Sequence, residues 1–160
     1  MFFETSCFPF IRELEERWET IAKEYENVED GNTAYPETDL YTGEWDVFPL
    51  LFFNKDFPKH QKLCPKTWEI VKKIPGVTSA SFSILRYNTE LKPHTGFTSK
   101  VLRCHLPVKI PRLGACALVV DDEPRRWEEG KCLVFDDTFW HYAYNHSETD
   151  RVVLLLDFKR

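Results

Sequence analysis

Beyond Gly76 the hydrophobic period changes, and this change constrains the fold more than any other feature of the chain. Ala80 to Tyr87 partly alternates, Val101 to Val108 is β-like, and Ala115 to Val120, Lys131 to Phe135 and Arg151 to Phe158 are compact apolar runs. Turn-forming residues separate them at Tyr87-Asn88-Thr89, Pro111-Arg112-Leu113-Gly114, Asp121 to Pro124 and Glu129-Gly130. Strands this short at this spacing predict a mainly β sandwich or small barrel, of which the cupin-like jelly roll is one form.

Upstream of Gly76 the pattern is helical and then irregular. Residues 9–25 place Ile11, Leu14, Trp18, Ile21, Ala22 and Tyr25 on one face, with Pro9 suited to a first turn. This predicts one amphipathic helix, lying across a sheet or binding a partner. From Glu26 to Lys62, Gly, Pro, Asp and Asn mix with Trp45, Phe48, Phe52 and Phe53, predicting a folded loop region with short elements. Pro65 to Lys73 reads as a second short helix, closed by Ile74-Pro75-Gly76. A chain of 160 residues suits one domain, with residues 1–75 as helical and loop lead-in and 76–160 as the jelly-roll core.

Charge and cysteine usage exclude several roles. With a net charge of -5 and no long run of Lys and Arg, the chain lacks what tracking a phosphate backbone requires, so nucleic acid is not an expected partner. The cysteines at 7, 64, 104, 116 and 132 form no CxxC pair, which points to a reduced, cytoplasmic setting. Apolar runs such as Val152 to Leu156, at 5 residues, fall far short of the roughly 20 that span a bilayer, and no basic region precedes an apolar leader. Neither membrane insertion nor secretion is expected.

The chemistry concentrates between residues 94 and 151. A non-haem Fe(II) centre that activates O2 needs imidazole ligands, open coordination positions and usually a carboxylate, commonly as His-x-Asp with a distant His. Here His94-Thr95-Gly96 offers no carboxylate, and His141 follows Phe135-Asp136-Asp137-Thr138-Phe139-Trp140. The Asp136-Asp137 pair by itself reads first as a solvated turn, and beside His141 it suits hydrogen bonding to a neutral imidazole or a metal-bound water. Arg151 heads an apolar run, and a guanidinium entering such an interior needs an anion: a dicarboxylate co-substrate, or a local Asp or Glu. Arg103 and His105 share one strand face, which either binds a second carboxylate or faces solvent.

Phe82-Ser83-Ile84, Pro93-His94-Thr95-Gly96, Arg103-Cys104-His105-Leu106, Trp127-Glu128-Glu129-Gly130-Lys131, Phe135-Asp136-Asp137 with His141, and Arg151 together resemble the catalytic domain of the aspartyl/asparaginyl β-hydroxylase family. The resemblance implies a double-stranded β-helix that uses Fe(II), 2-oxoglutarate and O2. Because that family binds iron with two histidines and no carboxylate, Gly96 fits the pattern. The same resemblance makes His94 and His141 the metal ligands and gives Ser83 and Arg151 the distal carboxylate of 2-oxoglutarate. Arg103 and His105 would attend the carboxylate nearer the metal, and Asp137 would steady the water that replaces the missing ligand.

The implied reaction is hydroxylation of an unactivated C–H bond, on an aspartyl or asparaginyl residue or a related amino acid or peptide. One departure bears on substrate: where animal peptidyl members carry an arginine two residues before the Arg103 equivalent, this chain has Val101, with Lys100 on the opposite strand face. Halogenation is an alternative, since chloride takes the carboxylate's place in other 2-oxoglutarate enzymes with His-x-Gly. A non-catalytic binding or sensor jelly roll is another. Related lipid A acyl hydroxylases are expected to carry apolar anchoring segments, so a soluble substrate is the expectation here.

Overall fold

The computed structural model describes residues 1–160. Its helices are α1 (Ile11–Glu16), α2 (Trp18–Glu26), α3 (Pro58–Leu63) and α4 (Pro65–Val71). The strands are β1 (Phe2–Phe3), β2 (Thr33–Ala34), β3 (Tyr41–Thr42), β4 (Trp45–Phe52), β5 (Lys55–Asp56), β6 (Val77–Leu85) and β7 (Thr89–His94). They continue with β8 (Val101–Lys109), β9 (Ala115–Val120), β10 (Glu123–Arg125), β11 (Leu133–Phe135), β12 (His141–His146) and β13 (Arg151–Lys159). One sheet runs β1-β11-β8-β13-β6-β4-β2, with β5 added to β4, and the other runs β10-β9-β12-β7-β3. Pairing is antiparallel throughout, as in a cupin-like jelly roll.

Alternation along the three central strands of the larger sheet decides where core and site lie. Phe82 and Ile84 of β6, Cys104 and Leu106 of β8, and Leu154 and Leu156 of β13 point to the helix-covered face. There they pack with Leu14, Ile21, Tyr25, Ile70 and Val71 in a cluster of 25 buried residues. Each such side chain contributes roughly 1.5–3 kcal/mol when fully buried. The face between the sheets holds a smaller cluster of 9 buried residues, among them Trp45, Leu118, Trp127, Phe135 and Val153. With the main core on the outer face, the inner face can carry Ser83, Arg103, His105, Arg151 and Asp157.

Several local expectations need correction. The helix expected over 9–25 breaks at Arg17 (φ −108°, ψ 11°), and Trp18 packs against Gly130, where a Cβ would collide with the indole. The region expected to be loops contains the eight-residue strand β4, paired along its length with β6. Its Pro49 sits beside a register shift, where a missing N–H is tolerated, and the Pro49 carbonyl faces His60 Nδ1 at 2.6 Å. Strands β7 and β12, which carry the two histidines, were also not predicted as strands.

Candidate active site

Antiparallel pairing of β7 with β12 sets His94 directly opposite His141, with ring centroids 4.2 Å apart. Each ring is oriented by a backbone carbonyl two residues earlier: Lys92 O lies 2.6 Å from His94 Nδ1, and Phe139 O lies 2.9 Å from His141 Nδ1. A carbonyl can only accept, so each Nδ1 carries the proton and each Nε2 keeps its lone pair. Burial holds His141 down to about 4, against the raising effect of its bond to Phe139 and with His94 and Arg103 adding to the depression. At neutral pH it is therefore uncharged, the state that ligates a metal.

Behind this pair, Gly96 donates its N–H to the Asp137 carbonyl at 2.7 Å, and a Cβ at position 96 would overlap the Asp137 carboxylate. Asp137 is 4% exposed, and its Oδ1 has no hydrogen-bond partner. Burial raises its carboxyl above the ordinary range, and Arg103, 3.5 Å away, pulls partly the other way. The neighbouring Asp136 turns aside, accepting from the backbone and hydroxyl of Thr138 and pairing with Arg160. Only one member of the acidic pair thus faces the histidines.

Arg151 is 1% exposed and makes no ion pair with any Asp or Glu of the chain, so the local bridge that the sequence left open does not form. Its Nη2 donates to Ser83 Oγ at 3.0 Å and the Ser83 carbonyl at 3.3 Å, and its Nε is buried without a partner. The guanidinium lies 4.7 Å over the Trp127 ring. Burial lowers its pKa to about 10. Ser83 Oγ also accepts from Trp45 Nε1 at 2.9 Å. Since Arg and Trp can only donate, both serine lone pairs are taken and its O–H remains to donate.

His105 completes this donor set. Trp127 Nε1 donates to its Nδ1 at 3.1 Å, so the proton resides on Nε2, which is buried and partnerless. Burial, followed by the nearby Arg151 and Arg103 charges, keeps this imidazole neutral well below its ordinary pKa. Arg103 faces inward beside it but is already engaged. Its Nε and Nη2 reach Asp157 Oδ1 and Oδ2 at 2.8 and 2.9 Å, a bidentate pair the sequence reading did not anticipate. Burial alone would depress that guanidinium; the charge and hydrogen bond of Asp157, with Asp137 behind, raise it instead. Lys100 is exposed and lines neither of the cavities beside the histidines, so it does not stand in for the arginine that the resemblance expects at Val101.

Two cavities meet at the histidines. The inner one, about 30 Å³, is bordered by Ser83, His105 and Arg151 and has no Asp or Glu in its wall. The outer one, about 190 Å³, is lined by Val47, Phe52, Phe53, Phe97 and the acids Glu37, Asp137 and Asp157. Trp45, His94, Arg103, His141 and Leu155 are common to both.

Fold and paired imidazoles together define a cupin-like jelly-roll protein with a site between its sheets. The chain belongs to the aspartyl/asparaginyl β-hydroxylase family, whose model matches residues 15–160. It is 38% identical over 166 residues to the ornithine lipid ester-linked acyl 2-hydroxylase of Rhizobium tropici, covering 98% of this chain and 59% of that protein. It is 32% identical over 163 residues to human aspartyl/asparaginyl beta-hydroxylase, covering 96% of this chain and 21% of that protein. The chain therefore spans only part of these curated relatives. Among solved structures, a Pseudomonas putida prolyl-4-hydroxylase superposes with a TM-score of 0.60 at 12% identity, covering 91% of this chain and 87% of that one, a likeness of fold. No helix is long and apolar enough to cross a membrane.

Proposed function

We propose that residues 1–160 act as one Fe(II)- and 2-oxoglutarate-dependent hydroxylase unit, with His94 and His141 holding the metal. The observation that carries this reading is the inner cavity: a buried Arg151 without an acidic partner, next to Ser83 and His105, each with a donor left over. Leaving such a charge unpaired costs several kcal/mol, and a surround made only of donors suits a carboxylate. The residues fit both absent groups: two free Nε2 lone pairs for the ion, and a donor-only cradle for the far end of a small diacid.

When bound together, ferrous iron, 2-oxoglutarate and O2 supply the power to convert C–H to C–OH, with loss of CO2 and formation of succinate. The protein's part is orientation and exclusion of water. Arg151 and Ser83 would grip the distal carboxylate, and His105 Nε2–H would donate to the co-substrate. Asp137, with its unpartnered buried oxygen, would hold a water beside the ion. Arg103, held by Asp157, would act as a fixed neighbour of that site rather than as a free grip for an anion.

The test is succinate formation from 2-oxoglutarate with Fe(II), O2 and candidate substrates, using His94→Ala and His141→Ala as controls. Neither variant should support turnover. If the wild-type protein binds neither Fe(II) nor 2-oxoglutarate at sub-millimolar levels, the reading fails.

An aspartyl or asparaginyl side chain, or a related amino acid or peptide, is the substrate the family resemblance implies. A second reading has its own support. The outer cavity has apolar walls at Val47, Phe52, Phe53 and Phe97, its one cation is neutralised by Asp157, and a named relative acts on an ester-linked acyl chain. These features favour an aliphatic chain over a carboxylate as the group presented to the metal. Incubation with an aspartyl peptide and with an ester-linked acyl amphiphile, followed by mass spectrometry for one added oxygen, separates the two. Repeating the assay with and without chloride tests for halogenation.

A further inference from the structure

We propose that Trp127 is a positioning residue, whose indole N–H fixes the tautomer of His105 and whose ring face holds the guanidinium of Arg151. The proposal rests on the co-substrate reading above and assigns a residue outside the ligand and cradle set. Trp127 lies in the connection between β10 and β11, where the residues from Asp121 to Glu129 are otherwise exposed, yet it is 4% exposed itself. It enters the space between the sheets and packs with Phe135, Leu118 and Val153.

Two contacts leave from this one side chain in useful directions. The indole Nε1 has a proton and no lone pair to offer, so its 3.1 Å bond to His105 Nδ1 requires that nitrogen to be the acceptor. The remaining proton must then sit on Nε2, the atom left buried and partnerless beside the inner cavity. In the other tautomer Nε2 would present a lone pair, which repels a carboxylate. The guanidinium 4.7 Å above the indole ring gains cation–π attraction where no acid balances it. One residue thereby keeps the cradle made only of donors.

Two measurements test this. Long-range ¹H–¹⁵N correlation of the histidine rings in metal-free protein reads the His105 tautomer directly, without any co-substrate. Titration of Fe(II)-loaded protein with 2-oxoglutarate under anaerobic conditions reads the cradle. Wild type should show protonated Nε2. Trp127→Phe, which keeps a ring face but removes the N–H, should release His105 to a tautomer mixture and weaken 2-oxoglutarate binding by roughly tenfold. In a His105→Gln background, where the amide offers its own N–H, the same replacement should cost less than about twofold, a non-additivity that simple loss of packing does not produce.

A wild-type His105 protonated on Nδ1 overturns the proposal whether or not the variant folds. So does an unchanged tautomer in Trp127→Phe, or an equal loss of affinity in both backgrounds. If wild type fails to bind 2-oxoglutarate, the co-substrate reading falls, and the tautomer comparison alone decides whether Trp127 governs His105.

Discussion

The carboxylate of Asp137 occupies the space that a side chain on Gly96 would need. This explains, on steric grounds, why the His-x-Gly triplet carries no third ligand of its own. The acid arrives instead from the segment before β12, held by the Gly96 N–H bond to the Asp137 backbone. Gly96→Asp should therefore fail to build a three-ligand site. Overpacking of this kind costs about 1–3 kcal/mol, visible as a lower unfolding midpoint in denaturant. Adding Asp137→Gly should recover most of the loss, and simple additivity of the two changes would contradict the shared space.

Arg151 predicts a conflict between stability and binding. Its charge is buried without an acid, so the folded protein bears a cost that an apolar side chain of similar length avoids. Arg151→Met should leave metal-free protein as stable as wild type or more so, by about 1–4 kcal/mol, while 2-oxoglutarate affinity falls at least roughly a hundredfold. Thermal unfolding and a binding titration check the two halves separately.

The Arg103–Asp157 pair predicts the opposite. Here charge is matched, and Asp157→Asn leaves a largely enclosed guanidinium without its bidentate acceptor. The expected loss is about 2–4 kcal/mol by denaturant unfolding, with partial recovery when Arg103→Met is combined with it. A neutral Asp157→Asn would show that Arg103 is not committed to this partner.

Acid sensitivity follows from the buried imidazoles. His141 falls from 6.5 to about 4 on folding, so between those values the unfolded chain takes up a proton that the folded chain refuses. Its stabilising contribution is fully present above pH 6.5 and is lost as pH falls toward 4, by about 3 kcal/mol in all. His105 adds in the same direction, whereas the raised carboxyl of Asp137 favours the folded state at the acid end. Denaturant midpoints of metal-free protein should decline across this range, and His141→Gln should flatten the decline.

The sequence made the sheet legible where alternation was strong. Arg103 and His105 are two apart on β8, so period-two reading placed them on one face, whereas the sharing of an inner face of β13 by Arg151, Leu155 and Asp157 emerges only in the fold. Which face was inward was not legible, because Leu102, Cys104 and Leu106 are apolar enough to line either the sandwich or a helix layer. The fold places them beneath the helices. Strand β7 was hidden by Pro93, and β4 by Pro49 and its surrounding aromatic residues. In β12, by contrast, the buried positions His141, Ala143 and Asn145 do alternate with more exposed ones, but two of the three are polar. Asp157 was visible only as the one acid closing an apolar run. No local pattern connects Trp127 to His105, since their contact spans 22 positions and depends on how the sheets close.

The most direct measurement compares calorimetric titration of Fe(II)-loaded protein with 2-oxoglutarate and with 2-oxobutyrate, which keeps the oxo-acid end and lacks the distal carboxylate. The predicted result is sub-millimolar binding of the diacid, at least roughly tenfold weaker binding of the monoacid, and loss of that difference in Arg151→Met. Equal binding of both acids by the wild-type protein, or a preference for the diacid that survives in Arg151→Met, would contradict the account.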